Sequence, residues 1–274
     1  MNRLPLDRRV AVIHALLEGV SIRATVRLTG VAKGTITRLL AEVGTACAEY
    51  QHRTMRNLTC RRIQCDEIWS FVGVKQRNIP AEREGEAGIG DTWTWVAIDA
   101  DTKLVPSWLV GARDTEFATM FIQDLASRLA HRVQLTTDGH RPYLVAVEQG
   151  FAGEIDYAMI VKLYGQPTNP ETRYSPPVCI GCRKTGITGE PDPDHVSTSY
   201  VERQNLTMRM QMRRFTRLTN AFSKKLANHE HSVALHYMHY NFGRRHQSLR
   251  VTPAMAAGVD RRLWSVEDIV RLAE

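Results

Sequence analysis

The feature that most constrains the fold is a change of hydrophobic period near residue 61. Before that point, apolar residues such as Val10, Ile13 and Leu17 recur at helical spacing. After it, the segment RRIQCDEIWSFVGV alternates apolar and polar residues, which is typical of a β-strand. A helical N-terminal part therefore precedes a part built on a sheet. We divide the chain into residues 1–48, a connector at 49–60, a second domain at 61–250 and a C-terminal tail at 251–274.

Three short helices are predicted within the N-terminal domain. The first covers residues 6–19, Ser21 caps the second, Gly30 forms the turn, and the third covers residues 32–43. This pattern predicts a helix-turn-helix whose third helix contacts DNA, although an ordinary three-helix packing domain is an alternative. The polar residues in the first half of the third helix are the candidate DNA contacts: Lys33, Thr35, Thr37 and Arg38.

The second domain alternates predicted strands and helices. Three neighbouring strands are followed by a helix that Asp114 caps, a short strand that ends at Asp138, a second helix and a further strand. A Pro- and Gly-rich loop from about residue 165 to 198 then precedes a long basic helix. The order is that of a ribonuclease H-like domain, so we predict an α/β fold with a mixed sheet and an N-terminal three-helix domain.

Three carboxylates occupy positions that converge in a ribonuclease H-like fold. Asp66 lies in the first strand, Asp138 ends the fourth, and Glu202 begins the last helix. Such a cluster holds two Mg²⁺ ions, with Mn²⁺ as a substitute, for chemistry on a phosphodiester. Glu67 is adjacent to Asp66, but strand alternation predicts that it points to the other face. Turn chemistry accounts for Asp99 at the end of the second strand.

The segments around these carboxylates are CDEIWSFVG, LTTDGHRPY and STSYVERQNLTMRMQMRRF. They resemble the three catalytic segments of DDE transposases, and most resemble the bacterial insertion-sequence-one group. The resemblance extends from about residue 60 to the C-terminus and implies that Asp66, Asp138 and Glu202 bind the metal ions. It implies DNA cleavage and strand transfer on double-stranded DNA, at element ends and target sites, by at least a dimer. It also implies a basic residue two helical turns after the glutamate, which here is Arg209.

Positive charge is concentrated in the C-terminal third. The chain has a formal charge of +7 and a pI of about 9.3, which favours a polyanionic partner. Residues 203–250 contain ten lysines and arginines against one acidic residue, Glu230. We predict a basic stripe that leads from the carboxylates along the DNA backbone. Its members, with Arg209 beside them, are Arg203, Arg213, Arg214, Arg217, Lys224 and Lys225.

The sequence contains no apolar signal core and no apolar run long enough for a membrane span, so we expect a cytoplasmic, nucleoid-associated protein. The five cysteines are then expected to be reduced. Cys179 and Cys182 form a CIGC motif that lacks a suitably spaced second pair, which favours free thiols over zinc. The C-terminal histidines also lack acidic or thiol neighbours for a metal site; they are His229, His231, His236, His239 and His246.

Three alternatives to a transposase follow from the same residues. A non-catalytic helix-turn-helix regulator with a ligand domain has no need of the three carboxylates. A structure-selective nuclease of the same fold cleaves DNA without joining strands. An inactive transposon remnant binds DNA without cleaving it.

Overall fold

The computed structural model describes residues 3–165, 179–216 and 220–274. One six-stranded mixed sheet lies at its centre. The strands are β1 (Arg62–Val72), β2 (Gly90–Asp99), β3 (Trp108–Gly111), β4 (Gln134–Thr137), β5 (Asp156–Tyr164) and β6 (Cys179–Thr188). Their order across the sheet is β3-β2-β1-β4-β5-β6. The first three strands are antiparallel, β1, β4 and β5 are mutually parallel, and β6 is antiparallel to β5. This mixed α/β arrangement is consistent with the predicted ribonuclease H-like order.

Helices precede, separate and follow the strands. They are α1 (Leu6–Leu17), α2 (Ile22–Thr29), α3 (Lys33–Thr54), α4 (Thr115–Ala126), α5 (Pro142–Phe151), α6 (Ser199–Gln211), α7 (Leu226–Met238), α8 (Pro253–Ala256) and α9 (Val266–Arg271). None of the helices in the described ranges combines the length and apolar character that a membrane crossing requires.

Both faces of β1 are covered by helices. Ile63 and Cys65 belong to a buried cluster that includes side chains of α4 and α5, whereas Ile68 belongs to a second cluster with side chains of α6 and α7. Burial on both faces explains why the polar residues Gln64 and Ser70 are buried in β1 although its pattern resembles that of a half-exposed strand. Each of these polar groups therefore needs a hydrogen-bond partner from a neighbouring helix.

The three N-terminal helices form as predicted, with one difference in length. The Ser21 hydroxyl accepts a hydrogen bond from the Ala24 N–H at 3.3 Å, and Gly30 ends α2 in the left-handed region at φ 67°. Helix α3 does not end at residue 43 but continues to Thr54, so the first part of the predicted connector, residues 49–54, is helical.

The extension of α3 occurs because the helix packs along α7. Gly44 of α3 lies so close to α7 that an added Cβ would be 2.6 Å from the Cβ of His231. Farther along α3, the buried Gln51 amide donates to the Ala234 carbonyl at 3.1 Å. One buried cluster accordingly contains residues of α1 and α3, of the sheet and of the C-terminal segment. The N-terminal helices share a continuous core with the rest of the molecule.

Two further segments are more ordered than their composition predicted. The Pro- and Gly-rich stretch contains β6, which extends the sheet beside β5; the predicted loop also includes residues 166–178, which lie outside the described residues. The predicted tail at 251–274 contains α8 and α9, with Ile269 and Val270 fully buried. Arg9 of α1 pairs with Glu274 at 2.7 Å, which joins this segment to the N-terminal helices.

Candidate active site

Asp66 and Asp138 are adjacent at the end of the parallel pair β1–β4. The register pairs Cys65 with Thr137, the last residue of β4, so the two aspartates follow directly on neighbouring strands. The Asp138 carboxylate accepts a hydrogen bond from the backbone N–H of His140 at 2.9 Å, which fixes the turn after β4. The strand pairing therefore brings together two of the three predicted carboxylates.

Glu202 is brought to the same region by the way α6 begins. The Gln64 side-chain carbonyl of β1 accepts hydrogen bonds from the backbone N–H groups of Tyr200 and Val201, at 2.8 and 3.2 Å. These are donors of the first turn of α6, which otherwise have no partner within the helix. A polar side chain on β1 thus sets the position of the helix that carries Glu202.

Two residues hold the Glu202 carboxylate. The Thr198 hydroxyl donates to it at 2.6 Å, and the Lys162 ammonium of β5 forms an ion pair with it. Burial lowers the pKa of Lys162 and the Glu202 carboxylate raises it, with a net upward shift. Lys162 was not anticipated from the sequence, because strand β5 lies far from Glu202 along the chain.

Asn205 connects α6 directly to Asp66. Its side-chain amide donates to the Asp66 carboxylate, with Nδ2 and Oδ2 2.8 Å apart. Glu202 and Asn205 are three residues apart, so both lie on the face of α6 that is turned to the sheet. This spacing is the signal by which sequence reasoning would have found Asn205.

Glu67 is also part of the carboxylate group, contrary to the expectation from strand alternation. Carboxylate oxygens of Asp66, Glu67 and Asp138 lie within 4.8 Å of one another. Glu67 does point to the α4–α5 side, but β4 ends one residue before Asp138. Because no strand continues beside Asp66 and Glu67 there, carboxylates from both faces approach Asp138. We name Asp66, Glu67, Asp138 and Glu202 the carboxylate site.

An arginine balances part of this negative charge. The Arg113 Nε donates to the Glu67 carboxylate at 3.0 Å, and its Nη2 lies 3.8 Å from an Asp138 oxygen. The guanidinium also lies 4.9 Å from the centre of the Trp93 ring, which restricts its position. Arg113 was not anticipated from the sequence, because it precedes α4 in a loop without a recognisable pattern.

The electrostatics of the site follow from crowding of like charges. Burial and then the Asp138 carboxylate raise the pKa of Asp66 to about 6, and the same two causes raise the pKa of Glu67 to about 7. Two carboxyls with raised pKa values beside a third carboxylate create a site that favours a bound cation. The oxygen donors are those that Mg²⁺ prefers, so the residues present fit the predicted metal.

The cysteines of the CIGC motif and the C-terminal histidines are not grouped in this way among the described residues. Within residues 3–165, 179–216 and 220–274, the only set of three or more candidate ligands is Asp66, Glu67 and Asp138. Cys179 and Cys182 lie exposed on β6 as free thiols. His229 is buried between the hydroxyls of Ser70 and Ser223, and burial lowers its pKa to about 3. His229 therefore serves packing and hydrogen bonding in this structure.

The predicted DNA-binding residues fall into separate groups. Lys33 and Thr37 line a cleft that also contains four basic residues of the predicted stripe, Arg213, Arg214, Lys224 and Lys225. Thr35 and Arg38 lie on another side of α3, beside Arg9 and Glu42. Lys33 and Thr37 are one turn apart and share one face of α3, whereas Thr35 and Arg38 lie on a different face. The four α3 residues therefore do not form one surface.

The remaining basic residues lie on or after α6. Arg203 is exposed next to Glu202, and Arg209 is half-buried two turns farther along the helix. Arg217 lies outside the described residues. The stripe thus begins beside the carboxylate site, and its later members turn toward the N-terminal helices.

No family model and no curated protein matches the chain. Among solved structures, a Mos1 transposase paired-end complex with the left transposon end is 14% identical, with a TM-score of 0.24 over 57% of this chain and 60% of that chain. A pre-cleavage Mos1 transpososome is 13% identical, with a TM-score of 0.25 over 57% and 60% of the two chains. A Mos1 strand transfer complex is 13% identical, with a TM-score of 0.25 over 87% and 77%. The chain thus spans three fifths of the first two neighbours, and similarity of this size carries no conclusion about activity.

Proposed function

We propose that this protein is a DDE-class transposase of the insertion-sequence type. It would bind the ends of a mobile element and catalyse metal-dependent cleavage and strand transfer of DNA. The observation that carries the proposal is the grouping of Asp66 and Asp138 at the ends of two neighbouring strands, beside the helix that carries Glu202 and whose Asn205 donates to Asp66. Elements distant in the sequence supply this group of acids, and structural packing alone gives no reason to crowd them.

The proposed metal ligands are Asp66, Asp138 and Glu202. The two aspartates share one group with Glu67, whereas Glu202 lies outside that group and pairs with Lys162. Bound Mg²⁺ or Mn²⁺ would supply an activated oxygen nucleophile and neutralise charge on the leaving oxygen. The side chains of Asp138 and Glu202 are 36% and 40% exposed, so a phosphodiester can approach them from solvent. The carboxylate site is therefore accessible on the side where a long DNA substrate would lie.

Several neighbouring residues would keep the acids in position during the reaction. Asn205 orients one Asp66 oxygen, and Thr198 orients one Glu202 oxygen. Arg113 holds Glu67 and lies near Asp138, which limits repulsion within the group. Such preorganisation is what a transferase of phosphoryl groups requires, because little covalent chemistry is left to the protein itself.

The test is joining of a DNA fragment that carries the sequences flanking this gene into a target plasmid. The reaction is run with Mg²⁺, with Mn²⁺ and with EDTA, and wild type is compared with Glu202→Gln. Glu148→Gln is the matched control, because Glu148 is an exposed glutamate on α5, outside the carboxylate site. We expect metal-dependent joining that Glu202→Gln abolishes and Glu148→Gln retains, with fragment binding unchanged.

The other outcomes separate the alternatives. Cleavage without joining would replace the transposase with a nuclease of the same fold. Binding without cleavage in either protein would favour a regulator or an inactive remnant. The proposal includes at least a dimer on DNA, which the mass of the protein–fragment complex in solution would test.

A further inference from the structure

A cleft of about 750 Å³ separates the N-terminal helices from the segment around the start of α7. One wall comes from the end of α1, the start of α2 and the first turns of α3, and the other from residues 212–214 and from residues between 220 and 236. The two walls meet where Gly19, at φ 73°, lies against the end of α6; an added Cβ would be 2.7 Å from the Gln211 carbonyl oxygen. Because only glycine allows this approach, Gly19 lets the two walls lie close together at this point.

The lining of this cleft has a one-sided charge. Six cations belong to it: Arg23, Lys33, Arg213, Arg214, Lys224 and Lys225. None of the described lining residues is acidic, and in the described ranges none of the six forms an ion pair with a carboxylate. We name this surface the basic cleft. Elsewhere among the described residues arginines pair with carboxylates, as in Arg128–Asp124 and Arg132–Asp156.

Arg214 is the most constrained of these cations. It is partly buried, its Nη1 donates to the Ser223 hydroxyl at 2.8 Å, and burial lowers its pKa to about 10. Lys224 lies above the Phe222 ring at 3.2 Å, and burial together with Arg23 lowers its pKa. Burial of Arg214, and burial of Lys224 with Arg23 beside it, disfavour positive charge, and a negative partner would offset this cost.

Two further features of the lining favour an anion. Helices α3 and α7 both begin at the basic cleft, at Lys33 and Leu226, and neither has a side-chain cap at its N-terminus. Uncapped N–H groups and the helix dipole both favour negative charge. In addition, the buried residue His236 lines the cleft, and its Nε2 has no hydrogen-bond partner among the described residues.

We infer that the basic cleft binds the phosphodiester backbone of one DNA strand, independently of the carboxylate site. The volume is that of a small-ligand pocket, so the cleft admits a short stretch of backbone and not the cross-section of a duplex. The inference deepens the proposed function, since it assigns the substrate's backbone to a specific surface. It also unites two predicted DNA-binding surfaces, because Lys33 and Thr37 of α3 face the same cleft as Arg213 and Lys225.

The first test measures binding of a short fluorescein-labelled DNA duplex by anisotropy over a range of salt concentrations, in EDTA. The double substitution Lys224→Gln with Lys225→Gln is compared with Arg244→Gln with Arg245→Gln. Arg244 and Arg245 are also consecutive exposed cations, but they lie outside the basic cleft. We expect the cleft pair to reduce the slope of log K against log salt by about 2 and the affinity roughly tenfold, and the control pair to leave the slope unchanged.

A second variant separates binding from folding. Asn228→Asp places a carboxylate of the same size in the basic cleft, in the first turn of α7, where an acidic residue stabilises a helix. We expect unchanged or raised thermal stability together with weaker DNA binding. Asn78→Asp, at an exposed position outside the cleft, is the control and should leave binding unchanged.

Each result is decisive. Equal effects of the two double substitutions, or no effect of Asn228→Asp on DNA binding, would overturn the inference. So would a loss of inorganic phosphate binding in the cleft variants while their DNA binding stays normal, since the cleft would then be a site for small phosphates. The Glu202→Gln protein should bind DNA in EDTA as wild type does. If the cleft variants join DNA as wild type does, the inference about the basic cleft fails and the proposed transposase function stands. If DNA binding depends on the basic cleft but no protein joins DNA, the inference stands and the proposed function fails.

Discussion

The carboxylate site and the basic cleft have opposite charge imbalances. In the first, Asp66, Glu67 and Asp138 crowd together with Arg113 as a nearby cation, and the pKa values of Asp66 and Glu67 rise. In the second, six cations face one another without a carboxylate, and the pKa values of Arg214 and Lys224 fall. Burial and neighbouring carboxylates raise the pKa values in the first region, whereas burial, together with Arg23 beside Lys224, lowers them in the second. This difference supports different ligands in the two proposals, a divalent cation at the carboxylate site and a polyanion at the basic cleft.

The largest effect that would break this comparison comes from removing a carboxylate. Asp66→Asn should lower metal-dependent cleavage on the order of a thousandfold, because a ligand shared by the reacting groups is lost. Calorimetric titration with Mn²⁺ should show weaker metal binding in the same variant, while DNA binding in EDTA stays normal. Cleavage at the wild-type rate would remove Asp66 from the active site.

The second prediction concerns the contact between α3 and α7, which belong to opposite walls of the basic cleft. Gly44→Ala introduces a Cβ 2.6 Å from the Cβ of His231, and both belong to helices that cannot move freely. We expect a loss of about 1–3 kcal/mol in the free energy of unfolding, measured by urea denaturation. Gly34→Ala is the control, because an added Cβ at that position of α3 meets nothing within 4 Å. Equal stability of the two variants would show that α3 and α7 are farther apart than described.

The third prediction sharpens the comparison through pH. The pKa of Asp66 rises from 3.8 to about 6 on folding, so between these values the folded protein binds more protons than the unfolded chain. Stability from this group is therefore fully present at low pH and is lost as the pH rises from about 4 to about 6. Without metal, Asp66→Asn should be roughly 1–2 kcal/mol more stable than wild type near pH 7. Near pH 3 the two proteins should melt together, and added Mn²⁺ should stabilise only the wild type.

The smallest predicted effect concerns Lys162. Its ammonium pairs with Glu202 in a half-exposed position, so it competes with a divalent ion for the same oxygens. An ion pair of this exposure contributes up to about 1 kcal/mol, so Lys162→Gln should tighten Mn²⁺ binding by roughly two- to fivefold. Lys184→Gln on the neighbouring strand β6 is the control. Weaker metal binding in Lys162→Gln would mean that the lysine helps to assemble the site.

The sequence predicted those parts of the site that depend on element order. Asp66 in the first strand, Asp138 at the end of the fourth and Glu202 at the start of a helix were located by the succession of strands and helices. Their roles as metal ligands rest on a resemblance and stay a prediction. Asn205 was within reach of the same reasoning, because it lies one turn from Glu202 on α6.

The contacts that the sequence did not reveal join elements distant along the chain. Lys162 reaches Glu202 from β5, and Arg113 reaches Glu67 from the loop before α4. Glu67 was excluded by strand alternation, which holds for β1 but not where the neighbouring strand β4 has ended. Local periodicity describes single elements, whereas these contacts depend on how the sheet terminates.

The length of α3 was mispredicted for a related reason. The inward-facing apolar residues of the third helix predict an end near Val43, with a helical tail and connector after it. In the structure Gly44 allows a close approach to α7, and Gln51 forms a buried hydrogen bond to it. The pairing of two helices nearly two hundred positions apart cannot be read from either helix alone.

The close fit of Gly44 against His231 also bears on how a protein of this kind can be remodelled. A DNA-reading head joined by a flexible linker can be exchanged between proteins, because its removal exposes little of the remaining body. Here α3 supplies buried side chains to the same core as the sheet, and Gln51 satisfies a backbone carbonyl of α7. Replacing residues 1–54 by a foreign segment would expose that core, so the N-terminal helices can be changed only by substitutions that keep these buried contacts.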